Sequence, residues 1–189
     1  PDDYQEGMVT HKAIYKVSAR AAPDSYVIDY GPYCDACRKC QEVCPPQAIN
    51  LDQRPRLTVV DVGAIILAVG FKTYDPSSLE ELGYGRYQNV VSAMEYERLA
   101  SRSGPTEGLV LRPTDKKQPQ KIAWLQCIGS RDRENQFCSS ICCMYATKEA
   151  ILAKQRLGPK TNCSIFIMDE RAFNKEYSNY FNQARTVHK

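Results

Sequence analysis

Residues 121–168 read KIAWLQCIGSRDRENQFCSSICCMYATKEAILAKQRLGPKTNCSIFIM, and the order of apolar periods in this stretch decides the fold. Residues 121–128 carry the β-branched and aromatic content of a strand. Residues 139–157 have the length and composition of a helix closed by Gly158-Pro159, and residues 162–168 form a second apolar run. Strand, helix and strand at this spacing predict a βαβ unit, which requires a parallel pair joined by a right-handed crossover. The expected fold class is therefore α/β, turning to α+β toward the N-terminus, where the candidate elements are short.

The same stretch crowds four thiols around one turn. Cys127 closes the first strand, and Cys138, Cys142 and Cys143 stand at the start of the helix. At about 100° per residue, Cys138 and Cys142 fall roughly 40° apart if the helix already includes Cys138, with Cys143 turned about 100° further. In a dinucleotide-binding βαβ unit this turn carries three glycines that admit a pyrophosphate. Here Gly129 stands alone. A helix N-terminus still favours an anion and lowers thiol pKa values. From spacing, four readings stay open for Cys127, Cys138, Cys142 and Cys143: an iron-sulfur cluster, zinc, a redox dithiol, or buried cysteines. A disulfide between the adjacent Cys142 and Cys143 is the weakest alternative. Cys163, alone in an apolar strand, reads as an inert core residue.

A second group is more specific. Residues 34–45 read CDACRKCQEVCP, with Cys34, Cys37, Cys40 and Cys44 followed by Pro45. This is the bacterial ferredoxin spacing, in which closely spaced thiolates wrap one face of a [4Fe-4S] cluster and the proline turns the chain away. Zinc sites commonly separate two cysteine pairs by a long loop, so zinc is the lesser reading. In two-cluster ferredoxins the fourth cysteine of each run ligates the other cluster, and Cys44 therefore serves either this cluster or a second one. Arg38 and Lys39 either tune the cluster or are solvated surface charges.

Composition excludes several classes. The chain has 189 residues, 43% apolar and 25% charged, with a formal net charge of +3. Two four-iron clusters, each carrying about −2 with its thiolates, would bring that charge to about −1. Lys and Arg are scattered rather than gathered with interleaved aromatics, so no nucleic-acid partner is expected. The longest apolar run, residues 62–71, is about half the roughly 20 residues a membrane-spanning helix needs. Nine cysteines is an odd number, and no secretory signal opens the chain. Metal or redox chemistry in the reducing cytoplasm is therefore expected over a disulfide framework. The start on Pro1 is expected of a piece of a longer protein. His11 and His188 are the only histidines, near opposite ends and without a Ser or Asp partner, so no hydrolytic constellation competes.

Elsewhere, residues 12–17 and 25–30 are expected to be extended, joined by the turn Ala22-Pro23-Asp24. Residues 48–51, 56–60 and 63–69 read as strands, and 74–85 as turns. Residues 92–100 (SAMEYERLA) read as a helix with Ser92 as N-cap and Glu95 completing a capping box. Residues 103–120 read as a long surface connection and 176–186 as a final helix.

Four segments together resemble the A subunit of heterodisulfide reductase: DVGAIILAVGF (61–71), YGRYQNVVSAMEYERL (84–99), KIAWLQCIGSRD (121–132) and CSSICCMYATKEAILAK (138–154). The resemblance implies a thioredoxin-reductase-like, Rossmann-type flavoprotein domain with an inserted ferredoxin domain. Residues 1–56 would be part of the insert, 57–120 a flavin-domain segment and connection, and 121–189 the βαβ unit carrying a second cluster. The opening PDDYQEGM resembles the segment just after the insert's first cysteine run. The family match further implies that Cys127, Cys138, Cys142 and Cys143 bind an unusual four-iron cluster. It implies FAD in the complete protein, with Val69 and Gly70 at a strand end that approaches the flavin; Val69 stands where Thr is usual in that superfamily. The expected activity is single-electron relay between two [4Fe-4S] clusters and FAD, within an oxidoreductase complex that performs flavin-based electron bifurcation. The expected partners are the B and C subunits and a hydrogenase or formate dehydrogenase module or ferredoxin. The alternative is a zinc-binding structural or interaction module without redox activity. The segment alone is not expected to be active.

Overall fold

A computed structural model describes the chain except residues 19, 30–32, 172, 174–175 and 188–189. The extended segment expected to end at Tyr30 and the histidine at 188 therefore fall partly or wholly outside the described residues. In chain order the regular elements are β1 (Ile14–Tyr15), β2 (Val27–Ile28), α1 (Lys39–Glu42), α2 (Ala93–Ala100), β3 (Lys121–Leu125), α3 (Cys142–Leu157), β4 (Asn162–Phe166) and α4 (Tyr177–Val187), with short 3-10 turns at Asp3–Gln5, Pro76–Ser78 and Glu80–Leu82. Among the described residues the architecture is mixed α/β with two small sheets. The chain divides into two compact units, residues 10–72 and residues 1–9 with 73–189.

The larger unit contains the expected βαβ arrangement. β3 and β4 pair in parallel, with Ile122 opposite Cys163 and Trp124 opposite Ile165. Gln126 N–H continues the pairing to Phe166 O at 3.0 Å. α3 covers this pair with small residues: Ala146 and Ala153 are each 0% exposed and Ala150 packs beside them. An alanine face lets the helix approach the sheet closely, and the space left is filled by Trp124, Tyr96, Val110 and Ile165. The Tyr96 and Trp124 rings meet edge to face, with centroids 5.6 Å apart.

α2 begins as its sequence dictates. Ser92 Oγ accepts from Glu95 N–H at 3.1 Å and the Glu95 carboxylate accepts from Ser92 N–H at 2.5 Å, the reciprocal capping box. The N-terminal segment is tied to the end of this helix. Gln5 Nε2 donates to Ser103 O at 2.9 Å, Arg98 Nε donates to Gln5 Oε1 at 3.2 Å, and the Arg98 guanidinium lies over the Tyr4 ring at 4.2 Å. Residues 103–120 hold turns without a helix or strand, yet Val110 within them is buried in the core, so this connection is partly internal.

In the smaller unit β1 and β2 pair antiparallel, Ile14 opposite Ile28 and Tyr15 opposite Val27. Three expectations fail nearby. Residues 48–51 are not a strand: the chain turns at 51–52, where Asn50 Oδ1 accepts from Asp52 N–H at 3.0 Å, a local bond that competes with pairing. Residues 56–60 and 63–69 are also without strand assignment, and their apolar side chains stand open, with Leu57 97% and Ile66 93% exposed. β-branched content becomes a strand only when a neighbour takes its N–H and C=O groups. Among the described residues no strand pairs with these segments.

Candidate metal centre

β3 ends at Leu125, and the backbone then bends through three left-handed residues, Cys127 (φ 63°), Gly129 (φ 66°) and Arg131 (φ 60°). At Gly129 the turn needs glycine on two counts: the positive φ, and the Tyr74 ring, which lies 2.3 Å from where a Cβ would sit. The returning segment reaches α3 through Ser140, also left-handed at φ 62°. That residue stops the helix from extending back to residue 139, and α3 begins at Cys142. Cys138 therefore lies before the helix, and the one-face reckoning for Cys138 and Cys142 gives way to a turn that brings the chain back.

The turn and the helix start put Cys142 within electrostatic range of the other three thiols. Burial and the adjacent sulfurs of Cys143, Cys138 and Cys127 push the Cys142 thiol above its ordinary pKa. Cys143 is buried and the other three are half-buried, and all nine cysteines of the chain are free thiols. Donors surround the sulfurs. Ser140 N–H approaches Cys138 Sγ at 3.4 Å, and Arg131 Nη1 stands 4.0 Å from Cys127 Sγ. Arg131 is held by an ion pair to Asp169, which Arg171 Nε also contacts at 3.1 Å. α3 has no side-chain cap: Met144 N–H is met by Ile141 O at 3.0 Å, while no capping side chain accepts from the N–H groups of Cys142 and Cys143.

This donor set fits an anionic iron-sulfur group. Burial first, and the neighbouring sulfurs second, disfavour the Cys142 thiolate, and a cationic metal core would offset both while the guanidinium and helix N-terminus offset the remaining negative charge. The described residues stop short of a coordination shell: no three Cys, His, Asp or Glu side chains among them are gathered in a metal-holding arrangement.

In the first group, Cys37 is exposed and Cys34, Cys40 and Cys44 are half-buried. Ala36 (φ 56°) and Arg38 (φ 63°) give the loop its tight curvature, and Asp35 Oδ1 accepts from Cys37 N–H at 3.1 Å. Hydrogen bonding from Cys37 holds the Asp35 carboxyl below the usual range. Cys40 rides on α1, and Gln41 Nε2 ties the helix to Ile49 O at 3.0 Å. Arg38 pairs with Asp52 at 2.9 Å with both side chains exposed, which favours the solvated-charge reading for Arg38.

Val69 is 89% exposed, and Gly70 (φ 73°) has nothing within 4 Å of where a Cβ would sit, so neither is drawn into a cradle. Cys163 faces the core, its thiol donating to Ala150 O at 3.9 Å and pushed up in pKa by burial, in keeping with an inert strand residue. Sequence reasoning missed Arg131 and Glu149. Arg131 sits four residues beyond Cys127, within reach of the thiols only because the turn is left-handed. Glu149 lies between Ala146 and Ala153 on the buried face of α3, a helical spacing that was available to find it.

No family model matches the chain. Among curated proteins it is 46% identical over 187 residues to iron-sulfur A-subunit 2 of the CoB–CoM heterodisulfide reductase of Methanopyrus kandleri. It is 43% identical to the corresponding iron-sulfur A-subunit of Methanocaldococcus jannaschii, and 40% identical to the A-subunit of the H2:CoB-CoM heterodisulfide, ferredoxin reductase of Methanothermobacter marburgensis. Each alignment covers 98% of this chain and 28% of the relative. No helix among the described residues is long and apolar enough to cross a membrane. Along nearly all of its length the chain is similar to these A-subunits of heterodisulfide reductases, and it spans about 28% of their length.

Proposed function

We propose that the chain is the iron-sulfur electron-transfer segment of a flavoprotein like the A-subunit of heterodisulfide reductase. Cys34, Cys37, Cys40 and Cys44 hold one [4Fe-4S] cluster, Cys44 being open to a neighbouring cluster instead, and Cys127, Cys138, Cys142 and Cys143 hold another. The single observation that carries this reading is the placement of Cys142 in the field of the other three thiols at the uncapped start of α3. When bound, such clusters accept and pass on one electron at a time.

The protein's own residues supply the setting. The four cysteines act as ligands rather than nucleophiles. Arg131, anchored by Asp169, keeps a positive charge beside Cys127, and Ser140 N–H stabilises negative charge at Cys138. The alanine face of α3 fixes the helix on the sheet and with it the positions of Cys142 and Cys143. On the family resemblance, residues 1–56 belong to an inserted ferredoxin domain, 57–120 to a flavin-domain segment and connection, and 121–189 to a thioredoxin-reductase-like domain. The same resemblance extends the role to FAD and electron bifurcation. On the same resemblance, Val69 and Gly70 stand where the chain approaches the flavin in the complete protein. The B and C subunits, with a hydrogenase, formate dehydrogenase or ferredoxin as electron source, are the partners of the whole protein in the reducing cytoplasm, and the segment alone is inactive as a reductase.

Anaerobic purification followed by iron, sulfide and zinc analysis tests the reading. About eight irons per chain with matching sulfide are expected if both clusters assemble. Zinc-loaded, iron-free protein would instead establish a structural zinc module.

A further inference from the structure

Glu149 has no part in the reading above, and its surroundings are unusual for a carboxylate. It is 1% exposed on the inner face of α3. Oε2 accepts from Trp124 Nε1–H at 2.7 Å, while Oε1 has no hydrogen-bond partner. The hydroxyl of Tyr96, in the same core, is likewise buried and unpartnered. Glu149 forms no ion pair among the described residues. Its neighbours from every packed element offer little compensation. α2 supplies Tyr96 and Glu97, α3 supplies Tyr145 and Lys148, and β3 supplies Trp124, while Arg156 of α3 and Cys163 of β4 act on Tyr96. Lys148 is engaged by Glu97 in an exposed ion pair. A buried carboxylate with one hydrogen bond and no cation favours its neutral form, and burial pushes Glu149 up to about 7.

Cys142 and Glu149 are seven residues apart on one helix, two turns, so they stand about 10 Å apart along the axis and within about 20° of the same face. Tyr145 lies between them and is affected by both. We propose that Glu149 is a proton-binding site coupled to the electron occupancy of the cysteine centre at the start of α3. This inference rests on the cluster reading. As the centre takes one electron from a low-potential one-electron donor, the Glu149 carboxylate takes one proton from solvent, forming an O–H bond at Oε1. On reoxidation the electron passes to an acceptor and the proton returns to solvent. One added negative charge at about 10 Å, at an effective dielectric near 20, raises the affinity of Glu149 for its proton roughly tenfold. By linkage, protonation raises the electron affinity of the centre by the same factor.

The test uses the full chain, purified anaerobically, and follows the midpoint potential of this centre by electron paramagnetic resonance between about pH 5.5 and 8.5. A tenfold coupling lowers the wild-type potential by about 59 mV over that range. Glu149→Gln, which keeps an acceptor for Trp124, abolishes the dependence, whereas an equal slope in the variant overturns the proposal. Two readouts stand apart from the variant's folding. The reduced-minus-oxidised infrared spectrum of the wild type gains a protonated-carboxyl band, and Trp124, the only tryptophan, reports Glu149 by an emission change with a midpoint near 7. Absence of either change also overturns it. If Cys142→Ala leaves every cluster signal intact, the cluster assignment fails, while the Trp124 titration still decides whether Glu149 binds a proton.

Discussion

Replacing Glu149 by glutamine should flatten the pH dependence of stability of the larger unit. The folded-state pKa of Glu149 is raised from 4.5 to about 7. A raised carboxyl contributes stability that is fully present below the unfolded value and is lost as pH rises through the folded value. At 1.36 kcal/mol per pKa unit the loss approaches about 3 kcal/mol by pH 8, a large fraction of the stability of a small domain. Other shifted groups act outside this interval. Asp35, Asp115 and Asp169 are lowered and lose their contribution only in more acid solution, and the Cys142 thiol is raised further into the alkaline range. Glutamine cannot ionise but still accepts from Trp124 Nε1–H. Urea unfolding followed by far-ultraviolet circular dichroism, under reducing anaerobic conditions at about pH 5 and 8, should show wild type weakening by up to ~3 kcal/mol and Glu149→Gln nearly flat. At the acid end the variant should be no more stable than wild type, having exchanged one hydrogen-bonded group for another, within about 1 kcal/mol. Parallel pH profiles for the two proteins would refute the argument that Glu149 is buried without charge compensation.

Cys142→Ala should remove one cluster signal in electron paramagnetic resonance and leave the ferredoxin-like one; unchanged spectra would defeat the assignment of the second group. Gly129→Ala combines a positive φ with a Cβ 2.3 Å from the Tyr74 ring, so it should destabilise by about 2 kcal/mol and lower iron content at the second group, measured by unfolding and metal analysis. Ser92→Ala should cost about 1 kcal/mol through loss of the capping box and leave iron content unchanged.

How much of this was legible depended on how local the physics is. The βαβ unit followed from alternating residue periods and the Gly158-Pro159 stop, and its two strands do pair in parallel. The capping box at Ser92 and Glu95 was legible because both bonds lie within four residues. The strand expectations for 56–60 and 63–69 failed for the converse reason: pairing partners are a property of the whole fold, and none of the described residues supplies one. Glu149 was visible as an acidic residue on an alanine face, but its isolation from cations was not.

By itself, then, the sequence determined which thiols are available and at what spacing, where α2 starts, and that a helix connects two parallel strands. Tertiary structure alone decided that Cys138 stands off the helix, that Arg131 reaches Cys127, and that Glu149 is shut in with Trp124 and Tyr96. The physical reason is range. Caps, periods and turns are settled by bonds among near neighbours, whereas desolvation and electric field depend on every element packed around a group, however far away it lies along the chain.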